Sequence, residues 1–348
     1  MQIGLGSSAV RLDNISPAEE RLVDALYYGL PAASAHALAA QSKLQPPEIA
    51  DFLLKLQPVL VSTQLQAVPG TESYSVAQAE VARASLDNAA DAVRIVERRK
   101  QASVHIETLD ATGITLLLAL AAAGVGHFTS SDSARVSATD AASNAIPVAL
   151  EGKLRGTAAK LILQASWPGS RLLSTLQYPS LLGKSTLAVI TNQQVTPPQS
   201  VARWQTRELP VLEIRYVPNG VQISPVLLAS TGNGCLQCRD HFEQDADSTH
   251  IAVSSQLVTS ALRFDDAATR LVATGLAATS VLRFIDAGSL LNAGVKNQAT
   301  RNQNVEYLYL RNLAGAKVDP QPCIQERTWQ RHPLCGCSVS ERLLSQAV

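Results

Sequence analysis

Four of the five cysteines stand in two tight pairs, Cys235-x-x-Cys238 and Cys335-x-Cys337, widely separated in a chain of 348 residues. Thiolates at such spacings suit a tetrahedral zinc ion, and a site made from both pairs must bring a late segment of the chain back onto an earlier one. Few topologies meet that condition. Four protein thiolates also leave no open position for water or substrate, so the expected ion is structural, not catalytic. A redox pair and unligated thiols are the other readings of these residues, and the assignment to Cys235, Cys238, Cys335 and Cys337 depends on the two pairs meeting in space. His241 and His332 lie close enough in sequence to replace a thiolate or to support one from outside the ligand set. Cys323 has no activating base nearby in sequence and reads as a buried or incidental thiol.

The length exceeds the ~100–200 residues usual for one domain. With 46% apolar residues against 17% charged ones, the chain has the material for real cores, which argues against disorder. Lys and Arg number 29 and so do Asp and Glu, which leaves no basic field for nucleic acid. The longest apolar stretch, residues 114–123, falls short of the ~20 residues that span a bilayer and reads as a buried helix, so no membrane partner is expected. The opening residues lack a secretory pattern and the odd cysteine count does not suit a disulfide framework, so a reducing cytoplasm is the expected compartment.

Residues 2–13 alternate weakly, and then Ser16-Pro17-Ala18-Glu19 offers an N-cap, a proline at the first helical position and an acid able to cap back. Leu22, Val23, Leu26 and Tyr27 recur at helical intervals before Gly29-Leu30-Pro31. A second helical stretch covers 33–40. A third begins at Pro46-Pro47-Glu48 and puts Ile49, Phe52, Leu53, Leu56 and Leu60 on one stripe, ahead of a strand-like Val59-Leu60-Val61. Three short helices beside small strands predict a winged-helix-like domain over residues 1–75. The stretch from Ser42 to Leu56 has only Lys43 and Lys55 against Glu48 and Asp51, which suits a peptide or protein partner better than DNA. A helical connector over 76–100 leads to an α/β domain over 101–348.

In that domain, strand patterns at 104–106 and 125–129 flank the helix at 111–123, a βαβ reading. Further strands are expected at 187–191, 212–217 and 221–227, with Pro218-Asn219-Gly220 as a hairpin signal that makes the sheet mixed. Nucleotide-binding units of this kind use a glycine-rich turn to bring backbone amides onto phosphate. Here the turn is Thr108-Leu109-Asp110-Ala111-Thr112-Gly113, and only Gly113 stands at a fingerprint position. Asp110 adds negative charge where phosphate needs the opposite. Asp132, after the next strand, reads as a solvated or capping acid, with acceptance of a ribose hydroxyl as the functional alternative. Gly113 and Asp132 are thus remnant cofactor-binding positions, and ATP is not an expected ligand.

Gly124-Val125-Gly126 through Asp132-Ser133-Ala134-Arg135-Val136, Gly234-Cys235-Leu236-Gln237-Cys238-Arg239-Asp240 and His332-Pro333-Leu334-Cys335-Gly336-Cys337 together resemble the ThiF-like cyclodehydratase partner proteins of thiazole/oxazole-modified peptide biosynthesis. That family is related to ubiquitin-activating enzymes. The resemblance is spread over most of the chain and its terminal motif is the most specific part. It implies a winged-helix-like clamp for a precursor's leader peptide, a Rossmann-type adenylating-enzyme-like domain, and a zinc-tethered C-terminal tail. In such bacteriocin-type systems a separate YcaO-type cyclodehydratase performs the ATP-dependent chemistry. Active relatives use an Arg with polar companions downstream of the first acid, and Ser137-Ala138-Thr139-Asp140-Ala141-Ala142-Ser143-Asn144 contains none. The expectation is therefore a scaffold without catalysis of its own that binds a leader peptide and presents it to the YcaO-type enzyme, with a homodimer implied. An ATP-dependent adenylating enzyme acting on a peptide or carrier-protein carboxylate is the alternative, and a structural oligomerisation subunit is a third reading.

Overall fold

The computed structural model describes residues 1–4, 9–27, 43–60, 80, 92–141, 143, 145–207, 209–227, 234–292, 305–310 and 323–338. It divides into two compact units, Met1–Glu97 and Arg98–Val348.

In the first unit, β1 (Gln2–Ile3) pairs antiparallel with β2 (Val10–Arg11). The helix α1 (Pro17–Tyr27) starts where the capping residues put it: the Ser16 hydroxyl accepts from the Glu19 amide at 3.2 Å, and the Ser16 amide donates to the Glu19 carboxylate at 2.7 Å. The helix α2 (Pro46–Leu56) opens on two prolines whose missing N–H groups would have had no helical partner. Its Ile49, Phe52 and Leu56 close a small core with Leu12 and Leu22. The strand expected at 59–61 is not formed in its described part. Gln57–Val59 instead continues as a 3-10 turn, in which the Leu60 amide donates to the Leu56 carbonyl at 3.1 Å. The helix expected at 33–40 lies outside the described residues, as does most of the connector before α3 (Ala92–Gln101).

The second unit is built on an eight-stranded sheet. The βαβ reading holds: β3 (Ser103–Ile106), α4 (Ala111–Ala122) and β4 (His127–Ser130) form a parallel crossover. After α5 (Ala138–Ala141) and α6 (Arg155–Ser166), β5 (Arg171–Ser174) extends the sheet beyond β4. The chain then returns to the other side of β3 with β6 (Leu187–Gln193), α7 (Pro198–Gln205) and β7 (Val211–Val217), all three strands parallel. The predicted hairpin is present, so β8 (Gly220–Ile223) runs antiparallel to β7. Two helices, α8 (Leu236–Ala246) and α9 (His250–Leu257), precede the long α10 (Ala267–Asn292). Antiparallel β9 (Val305–Leu310) and β10 (Cys323–Thr328) finish the sheet, in the order β10-β9-β8-β7-β6-β3-β4-β5.

Successive residues of β6 show why its apolar run is unbroken. Leu187 and Val189 enter the main core with α4, α6 and α10, while Ala188 and Ile190 enter a second core with Val201, Trp204 and Leu236 from α7 and α8. Of these helices, α10 has a segment, Ala267–Ala287, long and apolar enough to cross a membrane. Here it lies on the sheet, with Ala273, Ala277, Val281 and Ile285 buried in the main core. The bidentate pair of Arg99 with Asp286, at 2.9 and 2.6 Å, fixes it to the segment entering β3.

Candidate functional site

Strand order reverses between β3 and β6, and it is beyond the carboxyl ends of strands at such a point that open α/β sheets hold their ligands. The turn leaving β3 lies there. A Cβ on Gly113 would lie 1.9 Å from the Thr108 carbonyl oxygen, so the first turn of α4 packs on this loop only because position 113 has no side chain. Gly113→Ala should destabilise the protein by about 3 kcal/mol through this backbone collision, as urea unfolding would measure. Asp110, expected only to add negative charge where phosphate would lie, caps the helix instead. Its carboxylate is the N-cap of α4, accepting from the Gly113 amide at 3.1 Å and from Arg263 at 3.0 Å. Burial pushes the Asp110 carboxyl above its ordinary pKa, against the pull of the Gly113 amide and Arg263.

Arg263 also grips Asp265, through Nε at 2.9 Å and a terminal nitrogen at 2.7 Å. Gln193, the last residue of β6, donates to Asp265 at 3.2 Å and accepts the Phe264 amide at 3.0 Å, tying this loop to the sheet. Beside it an open depression lies against Val217, Pro218, Gly220, Arg263, Phe264 and Asp266.

At the end of β4, Asp132 accepts the Leu109 amide and the Ala134 amide, each at 2.7 Å. The acid predicted from sequence thus holds the turn before α4. Residues 137–144 contain no arginine, but one from the next helix reaches their acid. Arg155, the first residue of α6, donates twice to Asp140 at 3.0 and 2.7 Å and reaches Asp132 at 3.6 Å. Burial would raise the Asp140 carboxyl, but the Ser137 amide, Arg155 and the Ser137 hydroxyl outweigh it and hold it below the ordinary carboxylate range. Sequence reasoning missed Arg155 because it looked within a fixed window after Asp132. The backbone Arg135 and Leu154 bridge folds the intervening loop back, and its only trace in sequence was a basic residue opening the next helix.

The four paired cysteines meet. Sγ separations are 3.8 Å for Cys235 to Cys238, 3.6 Å for Cys235 to Cys335 and 3.4 Å for Cys238 to Cys337, with all four within 4.8 Å. Sulfurs at the ~2.3 Å zinc distance of a tetrahedron would be about 3.8 Å apart, so the donor set fits that ion. The Cys238 thiol is pulled down in pKa, first by the Cys235 thiol, and against burial also by the backbone amide of His332. The histidines are not ligands in this geometry. His332 Nε2 lies 2.9 Å from Asp245 and its Nδ1 accepts the Leu334 amide at 3.2 Å, so both ring nitrogens are occupied, and His241 stacks on its face at 4.9 Å. Cys323 is exposed on β10, not buried.

An ionic network docks the cysteine helix on the sheet. Glu213 of β7 is fully buried and pairs with Arg239 of α8, while Asn192 donates to it at 2.7 Å and Thr196 also donates to it. Arg239 lies over Trp329 at 5.8 Å, which joins the same helix to the segment leading into Cys335.

No family model matches this sequence, and no curated protein does. Solved structures match nearly end to end. E. coli MccB is similar at a TM-score of 0.65 and 16% identity, over 97% of this chain and 91% of that one. MccB with AMPCPP and MccA gives 0.66 and 15%, over 97% and 94%. PaaA gives 0.60 and 15%, over 91% and 97%. The chain has the ThiF-like adenylating-enzyme fold. The expectation of a cyclodehydratase partner, a scaffold without catalysis for which ATP is an unlikely ligand, is overturned by these matches. MccB of this fold is seen with ATP, with AMPCPP and MccA together, and with N-formylated MccA. Locally, Asp110 is a capped and ion-paired carboxylate, and Arg155 is held by Asp140 beside Asp132.

Proposed function

We propose that this protein is an ATP-dependent adenylating enzyme that activates a carboxylate of a peptide. The observation that carries the reading is the match over 97% of the chain to MccB in structures with AMPCPP and MccA. In the proposed reaction a peptide carboxylate oxygen attacks the α-phosphorus of ATP. The bond from that phosphorus to its bridging oxygen breaks, pyrophosphate leaves, and the peptide carries an acyl adenylate. Charge grows on the phosphoryl oxygens as this bond breaks, and a fixed cation in a half-buried site stabilises it better than water does. Arg155 supports that role, because its position is set by Asp140 and, among the described residues, one terminal nitrogen keeps only the 3.6 Å contact with Asp132. Asp132 is assigned to a ribose hydroxyl, and Gly113 lets the turn lie close to the helix start that faces the phosphates. The N-terminal domain, residues 1–75, is assigned to holding the peptide. Cys235, Cys238, Cys335 and Cys337 are assigned to one structural zinc ion, whose chemistry is to fasten two chain segments together.

Exchange of labelled pyrophosphate into ATP tests the reading, with a library of peptides bearing either free or amidated C-termini. Exchange is expected only with free carboxylates and should fall about 100-fold in Arg155→Ala, the size of losing one transition-state donor. Absence of ATP binding by calorimetry, or exchange indifferent to amidation, would overturn it.

A further inference from the structure

Arg263 reaches the N-cap of α4, and two carboxylates of its own chain hold it. Asp110 takes it at 3.0 Å and Asp265 at 2.7 Å, from the β3 turn and from the segment before α10. The arginine side chain is 36% exposed while the Asp110 side chain is 10% exposed, so the arginine is open to solvent and the carboxylate it holds is not. A buried carboxylate at a helix N-terminus, paired with an arginine, has the charge arrangement that a bound phosphate would have. The neighbouring Thr108 hydroxyl is buried with no hydrogen-bond partner among the described residues.

We infer that Asp110 is an internal stand-in for a nucleotide phosphate and that Arg263 is a specificity-determining residue, exchanging Asp110 for the β- or γ-phosphate when ATP binds. The inference rests on the adenylating reading and adds a residue and a partner exchange to it. It explains how a turn with a single glycine and a carboxylate serves a nucleotide site: the carboxylate keeps the arginine in place until the ligand arrives. The exchange discriminates by phosphate number, since a nucleoside has nothing to offer Arg263.

The test is calorimetric titration of the full chain with ATP and, separately, with adenosine. Asn caps a helix about as well as Asp, so Asp110→Asn removes the competing charge and keeps the fold. ATP should bind about tenfold more tightly to Asp110→Asn and about tenfold more weakly to Arg263→Gln, the scale of one hydrogen bond to a charged group, with adenosine unchanged in both. The double variant should behave as Arg263→Gln does, and Arg263→Lys should recover part of the loss. Weaker or unchanged ATP binding in Asp110→Asn, or equal shifts for ATP and adenosine, would overturn the exchange while leaving adenylation standing. A wild-type chain that binds neither compound would overturn both.

Discussion

Replacing Cys335 with serine is expected to empty the thiolate cluster and to destabilise the second unit by about 3 kcal/mol or more, which is roughly 6–12 °C in Tm for a domain of this size. The wild-type chain should hold about one zinc by elemental analysis, because four thiolates saturate one tetrahedral ion. Cys335 is 1% exposed and joins the segment after β10 to the helix α8 through Cys235. Serine there offers a weaker ligand to a buried site that has already lost its water. A chelator should lower the Tm of the wild type to that of the variant and leave the variant unchanged, which separates loss of metal from loss of packing. Zinc retained in full after all four cysteines are replaced would exclude the assignment.

The fold was legible where local chemistry and burial agree. Ser16 and Glu19 announced α1, and the period-2 and unbroken apolar runs announced β3, β4, β6 and β7. Pro218-Asn219-Gly220 announced the β7 to β8 hairpin. The cysteine pairs were readable because metal ligation demands a few residue types at short spacing. Other features depend on tertiary placement that no local pattern encodes. Asp110 looked like a defect since its pairing with Arg263 spans 153 residues of chain, although its cap on Gly113 is local. Arg155 was invisible because the loop from Asp132 brings it back in space, not in spacing. The functional error followed from these two. A glycine-poor turn with an acid was taken as a lost nucleotide site, while the fold matches chains seen with ATP.

The Glu213 to Arg239 pair should prove costly to break from one side and cheap to replace whole. Glu213→Ala leaves a guanidinium buried against Thr196, with Asp240 and Glu243 at 3.6 and 3.9 Å as weaker company. Such an orphaned charge costs about 3–5 kcal/mol. The double variant Glu213→Leu with Arg239→Met should recover most of that loss, since apolar residues of similar volume often match a buried ion pair. Its sensitivity to acid should change too. Burial alone would raise the Glu213 carboxyl, but Arg239 first and then Arg215 and the Thr196 hydroxyl hold it below its ordinary 4.5. A depressed folded pKa means the stabilisation is complete above about 4.5, the unfolded value, and is lost as pH falls through the folded one. Urea unfolding at pH 7 and pH 3.5 should therefore show a smaller acid loss in the double variant than in the wild type. The single variant connects this network to the metal: with every thiolate intact but α8 poorly docked, zinc should leave to a chelator faster than from the wild type. Equal release rates in the two proteins would mean that the cysteine cluster holds itself together without the sheet beneath it.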